Sequence, residues 1–205
     1  MRRIILLTGD SEAPFLADEL RRHDPALEIV AALNRDQLGS LMTVDTAQTR
    51  LISFCSSVIV PTEILAALGA GAYNFHPGPP EFPGRFPSVF ALYKGASQFG
   101  VTAHEMTAAV DAGPIITADW FKIPGNCDLA QLEAMSFSAL VTIFKRLAPL
   151  LIRIERRLTR MPYRWGQHKT KKADVEALCR LTADLSADEI ELRRRVCGPF
   201  LKDAR

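Results

Sequence analysis

The sequence predicts an α/β fold: a mostly parallel central sheet flanked by helices, with a short helical tail at the C-terminus. Three observations predict it. Short apolar runs recur through the first part of the chain, each ending at a turn signal. Between them lie stretches whose apolar residues return at helical spacing. The two kinds of segment alternate strand, helix, strand, which calls for crossover connections and hence a parallel sheet.

Ile4-Ile5-Leu6-Leu7 ends at Thr8-Gly9 and reads as a strand buried on both faces. Phe15, Leu16 and Leu20 mark the helix after it, and Glu28 to Leu33 the second strand. The stretch from Arg35 to Arg50 is expected to hold one helix. Leu51 to Val60 reads as a third strand opening into a polar end, Cys55-Ser56-Ser57. Pro61 starts a helix at its first turn, where a missing N–H costs nothing, and Gly69 and Gly71 close it. Ala72 to His76 is a fourth strand. The layout is Rossmann-like, but the first turn, Thr8-Gly9-Asp10-Ser11, lacks GxGxxG, so no NAD site is expected.

Ser88 to Lys94 is expected to be helical. Phe99 to Met106 and Ile115 to Ile123 should pair antiparallel at the sheet edge around Asp111-Ala112-Gly113-Pro114. From Leu129 to Leu158 a long helix is expected, with Leu132, Met135, Leu140, Ile143, Leu147 and Leu151 on its apolar face. Asp128 and Gln131 make its capping box, and Pro149 kinks or divides it. Ser186-Ala187-Asp188-Glu189 is a capping box for a last helix. Residues 1–160 are expected to form the main domain and 161–205 a short extension.

The chain has 205 residues, 48% apolar and 23% charged, with a formal net charge of +2. That is ordinary globular composition and gives no footprint for nucleic acid. Four cysteines lack CxxC spacing and zinc-site neighbours, so reduced thiols of a cytosolic protein are expected, and no metal site. The N-terminal apolar run is too short for a signal peptide, and no segment is expected to reach membrane-spanning length.

The informative stretch is Tyr73-Asn74-Phe75-His76-Pro77-Gly78-Pro79-Pro80-Glu81-Phe82-Pro83-Gly84. Asn74 and His76 leave the same face of a strand, and Pro77 stops that strand. They therefore sit at the carboxyl end of a parallel sheet, where ligands bind in open α/β folds. An amide beside an imidazole suits acyl transfer: the amide N–H holds a developing oxyanion and the imidazole moves a proton. A carboxylate is needed to orient the ring, and Asp111, flanked by Ala112-Gly113, is the candidate.

The segment YNFHPGPPEFPGRFPSVFALYKGASQFGVTAHEMTAAVDAGPII resembles the core of the folate-dependent formyltransferases. The pattern is Asn-x-His-Pro, a Pro/Gly-rich loop, a helix ending in Gly, Gly-x-Thr-x-His, then Asp-x-Gly. The chain matches at Asn74, His76, Pro77, Gly84, Gly95, Gly100, Thr102, His104, Asp111 and Gly113. The resemblance implies 10-formyltetrahydrofolate as co-substrate. It implies His76 as proton shuttle, Asn74 as oxyanion donor, and Asp111 as the group that sets the state of His76. His104 is expected either to support Asp111 or to be a packed structural residue. Folate would lie against main chain at Ser56, Ser57 and Ile59 and at Met106, Thr107, Ala109 and Val110.

The loop reads HPGPPEFPG where many relatives have a Ser-Leu-Leu-Pro run, and it looks most like the GDP-perosamine-type sugar formyltransferases. The resemblance therefore implies a small amine acceptor on a nucleotide-linked sugar, cytoplasmic placement, no membrane, no nucleic-acid partner, and room for a homodimer. The residues after Met161 are too few for the barrel of a methionyl-tRNA formyltransferase. The basic residues Arg153, Arg156, Arg157, Arg160, Arg164, Lys169, Lys171 and Lys172 fit a diphosphate-bearing acceptor, but charge runs are more often solvated faces, here a helix end. Formyl-folate hydrolysis, or transfer to glycinamide ribonucleotide or methionyl-tRNA, are the alternatives, because the same three residues would serve each.

Overall fold

Every residue of the first strand, β1 (Arg3–Leu7), is buried, as a strand covered on both faces requires. The computed structural model describes residues 2–43 and 46–203. After β1 come α1 (Ala13–Arg21), β2 (Glu28–Ala32), α2 (Arg35–Leu41), β3 (Thr49–Phe54), α3 (Thr62–Ala67) and β4 (Ala72–His76). Then follow α4 (Pro87–Tyr93), β5 (Gln98–Glu105), β6 (Ile115–Lys122) and α5 (Leu129–Leu151). The tail holds α6 (Lys172–Leu178), β7 (Arg180–Leu181), α7 (Ala187–Cys197) and β8 (Lys202–Asp203).

Six strands pair in the order β2-β1-β3-β4-β5-β6. The pairs β1–β2, β1–β3 and β3–β4 are parallel, and β5 lies antiparallel to β4. Glu105 N–H donates to the Pro114 carbonyl and Ile123 N–H to that of Ser97, so β6 runs back antiparallel along β5. The expected Rossmann-like, mostly parallel sheet with an antiparallel edge is what forms.

The contacts divide the chain into two units. One contains Met1–His76, Thr102–Thr117 and Leu140–Arg164; the other contains Pro77–Val101, Ala118–Ala139 and Trp165–Arg205. In the first, alternation along the strands sorts the side chains. Ile5, Leu7, Leu51 and Ala72 join Val60 and Leu68 in one apolar cluster. Phe54 and Phe75 point the other way and meet Phe144, with ring centroids 5.8 and 5.2 Å from it. In the second unit, Val89, Leu92, Phe99, Leu132, Val175 and Val196 share a core.

Several sequence expectations are corrected. Strand β3 ends at Phe54 rather than Val60, because Cys55 takes a left-handed backbone (φ 51°) that breaks the extended run. Of the stretch 35–50, only Arg35–Leu41 is helical, Thr49 already belongs to β3, and residues 44 and 45 lie outside the described residues. Helix α5 is unbroken at Pro149 and stops at Leu151, short of Leu158. Pro149 sits in the last turn, where it removes one ladder bond and no helix remains to be kinked. At 23 residues α5 is also long and apolar enough to cross a membrane, contrary to expectation. Its Leu132, Leu140, Ile143, Phe144 and Leu151 are buried, as in a core helix.

Two caps behave differently. Asp128 Oδ1 accepts from Gln131 N–H at 2.8 Å and Gln131 Oε1 accepts from Asp128 N–H at 3.1 Å, completing the expected box. Ser186 Oγ accepts from Glu189 N–H, but the Glu189 carboxylate instead accepts from Tyr93 Oη and Arg193 Nε. The cysteines are not four reduced thiols: Cys179 and Cys197 form a disulfide, with Cα atoms 5.5 Å apart. The pairing was hidden because α6, β7 and β8 carry little sequence signal, and it is the fold of the tail that brings the two together.

Candidate active site

The apolar face of the first unit turns polar at the carboxyl end of its strands. Ala72 belongs to the apolar cluster, and two and four residues later the same face carries Asn74 and His76. Antiparallel pairing sets His104 opposite Asn74 and Thr102 opposite His76. Ser53 lies level with Asn74 on the other side. His76, His104, Thr102 and Ser53 are all buried.

Asp111 completes this face from the loop between β5 and β6. Its side chain is 5% exposed and its backbone is left-handed (φ 43°). A non-glycine residue in that region is uncommon and is held only where its surroundings over-determine it. Here the carboxylate meets two imidazoles. Oδ2 lies 3.5 Å from His76 Nδ1, and Oδ1 lies 3.2 Å from His104 Nε2. Asn74 Nδ2 is 3.2 Å from the same Nε2. The structure therefore brings Asn74, His76 and Asp111 together, and adds His104 between two of them.

The His104 tautomer follows from its other nitrogen. Nδ1 lies 2.8 Å from the Glu105 carbonyl, which can only accept, so Nδ1 carries a hydrogen. Nε2 then faces the Asp111 carboxylate and the Asn74 amide nitrogen, each at 3.2 Å. Gly113 makes the arrangement fit: a Cβ there would lie 1.9 Å from the Glu105 carbonyl oxygen. The Asp-x-Gly spacing thus ties a carboxylate to the carbonyl that orients its neighbouring imidazole.

The residues expected to meet folate lie on two segments of the same unit. Ser56 and Ser57 follow β3, with Ser56 Oγ accepting from Val58 N–H, and Ile59 is 61% exposed. Met106 N–H donates to the Ala72 carbonyl, Thr107 Oγ1 donates to the Ala109 carbonyl, and Val110 is 43% exposed. Val58 and Met106 pack on one apolar cluster, so both segments are anchored to the same part of the core. Beside them, desolvation and then the Glu12 carboxylate push the Cys55 thiol up to about 12. Among the described residues no group of His, Cys, Asp and Glu is placed to hold a metal ion.

The basic stretch is not one surface. Arg160 pairs with Glu105 at 2.7 Å, Arg157 donates to the Gly69 carbonyl, and the Arg156 carbonyl accepts from buried Arg50. A buried arginine at position 50 was missed by sequence reading. Its guanidinium donates to the carbonyls of Ala70, Leu151, Ile154 and Arg156. The signal was available: a lone arginine inside a strand of apolar residues.

Comparison with known proteins agrees with this fold. The chain is 27% identical over 136 residues to the methionyl-tRNA formyltransferase of Bacillus thuringiensis subsp. konkukian (strain 97-27), covering 65% of this chain and 43% of that protein. The match thus spans less than half of the relative's length. A sugar N-formyltransferase from Shewanella sp. FDAARGOS_354 superposes with a TM-score of 0.76 at 17% identity, covering 100% of this chain and 93% of the other. An N-formyltransferase from Helicobacter canadensis, in complex with folinic acid and dTDP-3-aminofucose, superposes with a TM-score of 0.72 at 16% identity, covering 96% and 81%. At these identities the superpositions establish a shared fold. The formyl transferase family itself matches residues 36–138, half of the chain and all of the polar face from Asn74 to Asp111, and the chain belongs to that family.

Proposed function

We propose that this chain transfers the formyl group of 10-formyltetrahydrofolate to the primary amine of a nucleotide-linked amino sugar. The carrying observation is the Asp111 carboxylate set against His76 Nδ1, with Asn74 on the same strand face. Nδ1–H donating to the carboxylate leaves Nε2 of His76 as the basic nitrogen. In the reaction, the acceptor nitrogen attacks the formyl carbon. The Asn74 amide N–H stabilises the oxyanion as the carbonyl oxygen gains charge. His76 Nε2 takes the proton lost by the acceptor amine and returns it to N10 of the folate as the formyl carbon–N10 bond breaks. Asp111 holds the ring in the tautomer this shuttle needs and stabilises the imidazolium that forms.

The folate assignment is supported by the Helicobacter neighbour, which holds folinic acid together with an amino-sugar nucleotide. In this reading the exposed segments at Ser56, Ser57 and Ile59 and at Met106, Thr107, Ala109 and Val110 receive the pterin through main chain. Residues 1–160 form the catalytic domain and 161–205 its extension. The test is a steady-state assay with 10-formyltetrahydrofolate, following tetrahydrofolate release with GDP-, dTDP- and UDP-linked amino sugars, glycinamide ribonucleotide and methionyl-tRNA. Release stimulated by a nucleotide-linked amino sugar alone is expected. Equal release in every tube would make the protein a hydrolase, and stimulation by one of the other acceptors would move the assignment to that amine.

A further inference from the structure

The loop that starts at Pro77, directly after His76, is rich in proline and glycine yet has little secondary structure of its own. Its shape is set from elsewhere in the same unit. Ser136 Oγ, on α5, donates to the Pro77 carbonyl at 3.0 Å. Gly166 N–H donates to the Pro80 carbonyl at 2.8 Å, and Thr170 N–H to the Pro83 carbonyl at 3.0 Å. Arg85 N–H donates back to the Thr170 carbonyl at 2.9 Å. The Thr170 hydroxyl donates to the Arg85 carbonyl at 2.6 Å, with the Pro83 carbonyl 3.3 Å away.

Thr170 thus commits its amide, its carbonyl and its hydroxyl to one loop. Gly84, between the two carbonyls it holds, has φ +101°, and a Cβ there would lie 2.2 Å from the Thr170 carbonyl oxygen. A Cβ on Gly166 would lie 2.7 Å from the Glu81 carbonyl oxygen. Both ends of the contact are therefore backbone against backbone, closed to side chains. Thr170 is 6% exposed, although its neighbours Gln167, His168, Lys171 and Lys172 are exposed.

We propose that residues 166–170 are a strap that fixes the 77–85 loop, that Thr170 is its positioning residue, and that the strapped loop discriminates the acceptor rather than the folate. The assignment to the acceptor rests on the proposed transferase reading. It follows because the loop begins at Pro77, directly after His76, whose ring takes the proton of the acceptor amine in that reading, while the candidate folate segments, 56–59 and 106–110, are separate stretches of chain.

The experiment compares Thr170→Val, which keeps the shape and removes the hydroxyl, with Thr170→Ser, which restores it. Gly166→Ala perturbs the far end of the strap. KM is measured separately for the amino-sugar nucleotide and for 10-formyltetrahydrofolate, and amide exchange is followed at Arg85 and Thr170. Thr170→Val and Gly166→Ala should raise the acceptor KM about tenfold, the weight of a lost buried hydrogen bond, leave the folate KM within about twofold, and speed exchange at Arg85. Thr170→Ser should recover most of the lost affinity. An unchanged acceptor KM, or equal changes in both KM values, overturns the acceptor assignment. If no acceptor turns over with the wild type, the transferase reading fails on its own. The strap is then judged by exchange alone, and unchanged protection at Arg85 in Thr170→Val overturns it.

Discussion

Replacing Arg50 by methionine should cost about 2–6 kcal/mol of folding stability, from two buried carbonyls left without a donor at about 1–3 kcal/mol each. Arg50 is 0% exposed, yet among the described residues no carboxylate pairs with it. Its partners are carbonyls: that of Leu151, which α5 leaves without an amide at its end, those of Ile154 and Arg156 just beyond the helix, and that of Ala70. Nη1 donates to the Leu151 carbonyl at 2.6 Å, Nη2 to the carbonyls of Ile154 and Arg156, and Nε to that of Ala70 at 3.1 Å. The guanidinium also lies over the Tyr73 ring, 5.2 Å from its centroid. A positive charge at the negative end of a 23-residue helix is favourable. Burial opposes it and is the main reason the Arg50 pKa is lowered. Methionine fills much of the volume but leaves the Leu151 and Ile154 carbonyls buried without a donor, at about 1–3 kcal/mol each. Lysine keeps the charge, reaches fewer carbonyls, and should cost about half as much. Urea unfolding with an unchanged m-value is the measurement. A loss under about 1 kcal/mol for the methionine variant would refute the capping role.

Asp111→Asn should lower kcat by about 10³-fold through loss of the oriented, protonatable ring, and His76→Ala by at least as much, with thermal midpoints close to wild type; near-wild-type turnover in either would sink the proton-shuttle reading. Glu189 is held below its usual carboxylate range by hydrogen bonds from Arg193 and then Tyr93. A depressed carboxylate stabilises above its unfolded pKa and loses that contribution as pH falls through the folded value. The urea midpoint of Glu189→Gln should therefore trail wild type at pH 7 and converge with it in acid; a pH-independent gap would contradict the ion pair. Reducing Cys179–Cys197, which closes a loop of sequence separation 18, should lower stability by about 3 kcal/mol. Unfolding with and without a phosphine reductant checks this, and four titratable thiols in the untreated native protein would disprove the bond. Cys55 is an exposed residue whose thiol is pushed up to about 12. Its alkylation at pH 8 should thus be about 10³-fold slower than for a thiol near pKa 9, and ordinary reactivity would count against the raised pKa.

The parallel core was legible because its strands are short, apolar and bounded by glycine and proline, and β4 falls on the residues the pattern marked. What failed to read out were boundaries decided by tertiary contact. Leu51 to Val60 keeps β-forming composition throughout, but the left-handed Cys55 ends the strand at Phe54. Helical spacing continues past Leu151, yet Pro149 and the guanidinium of Arg50 stop α5 there. The pairing of Asn74 with His76 was visible from a two-residue spacing within one strand. The place of His104 was open between a support for Asp111 and a packed residue, and the register between β4 and β5, which no local pattern specifies, decides for the first. The tail was least legible: two-residue strands and a disulfide across α7 leave almost no periodic signal.

The spacing from His104 to Gly113 acts as one device. The Glu105 carbonyl accepts from His104 Nδ1, which fixes the tautomer and turns Nε2 toward Asp111 and Asn74. Glycine at 113 lets the returning chain pass that carbonyl, where any side chain would collide with it. The left-handed backbone at Asp111 then aims the carboxylate back at both rings. Because Oδ1 meets His104, Oδ2 is the oxygen left to meet His76 Nδ1. A carboxylate that met His76 alone could rotate about its Cβ–Cγ bond and offer either oxygen; one clamped at the other side by a second imidazole cannot. The second histidine thereby converts an acidic neighbour into a fixed acceptor, which is what the proton shuttle proposed for His76 requires.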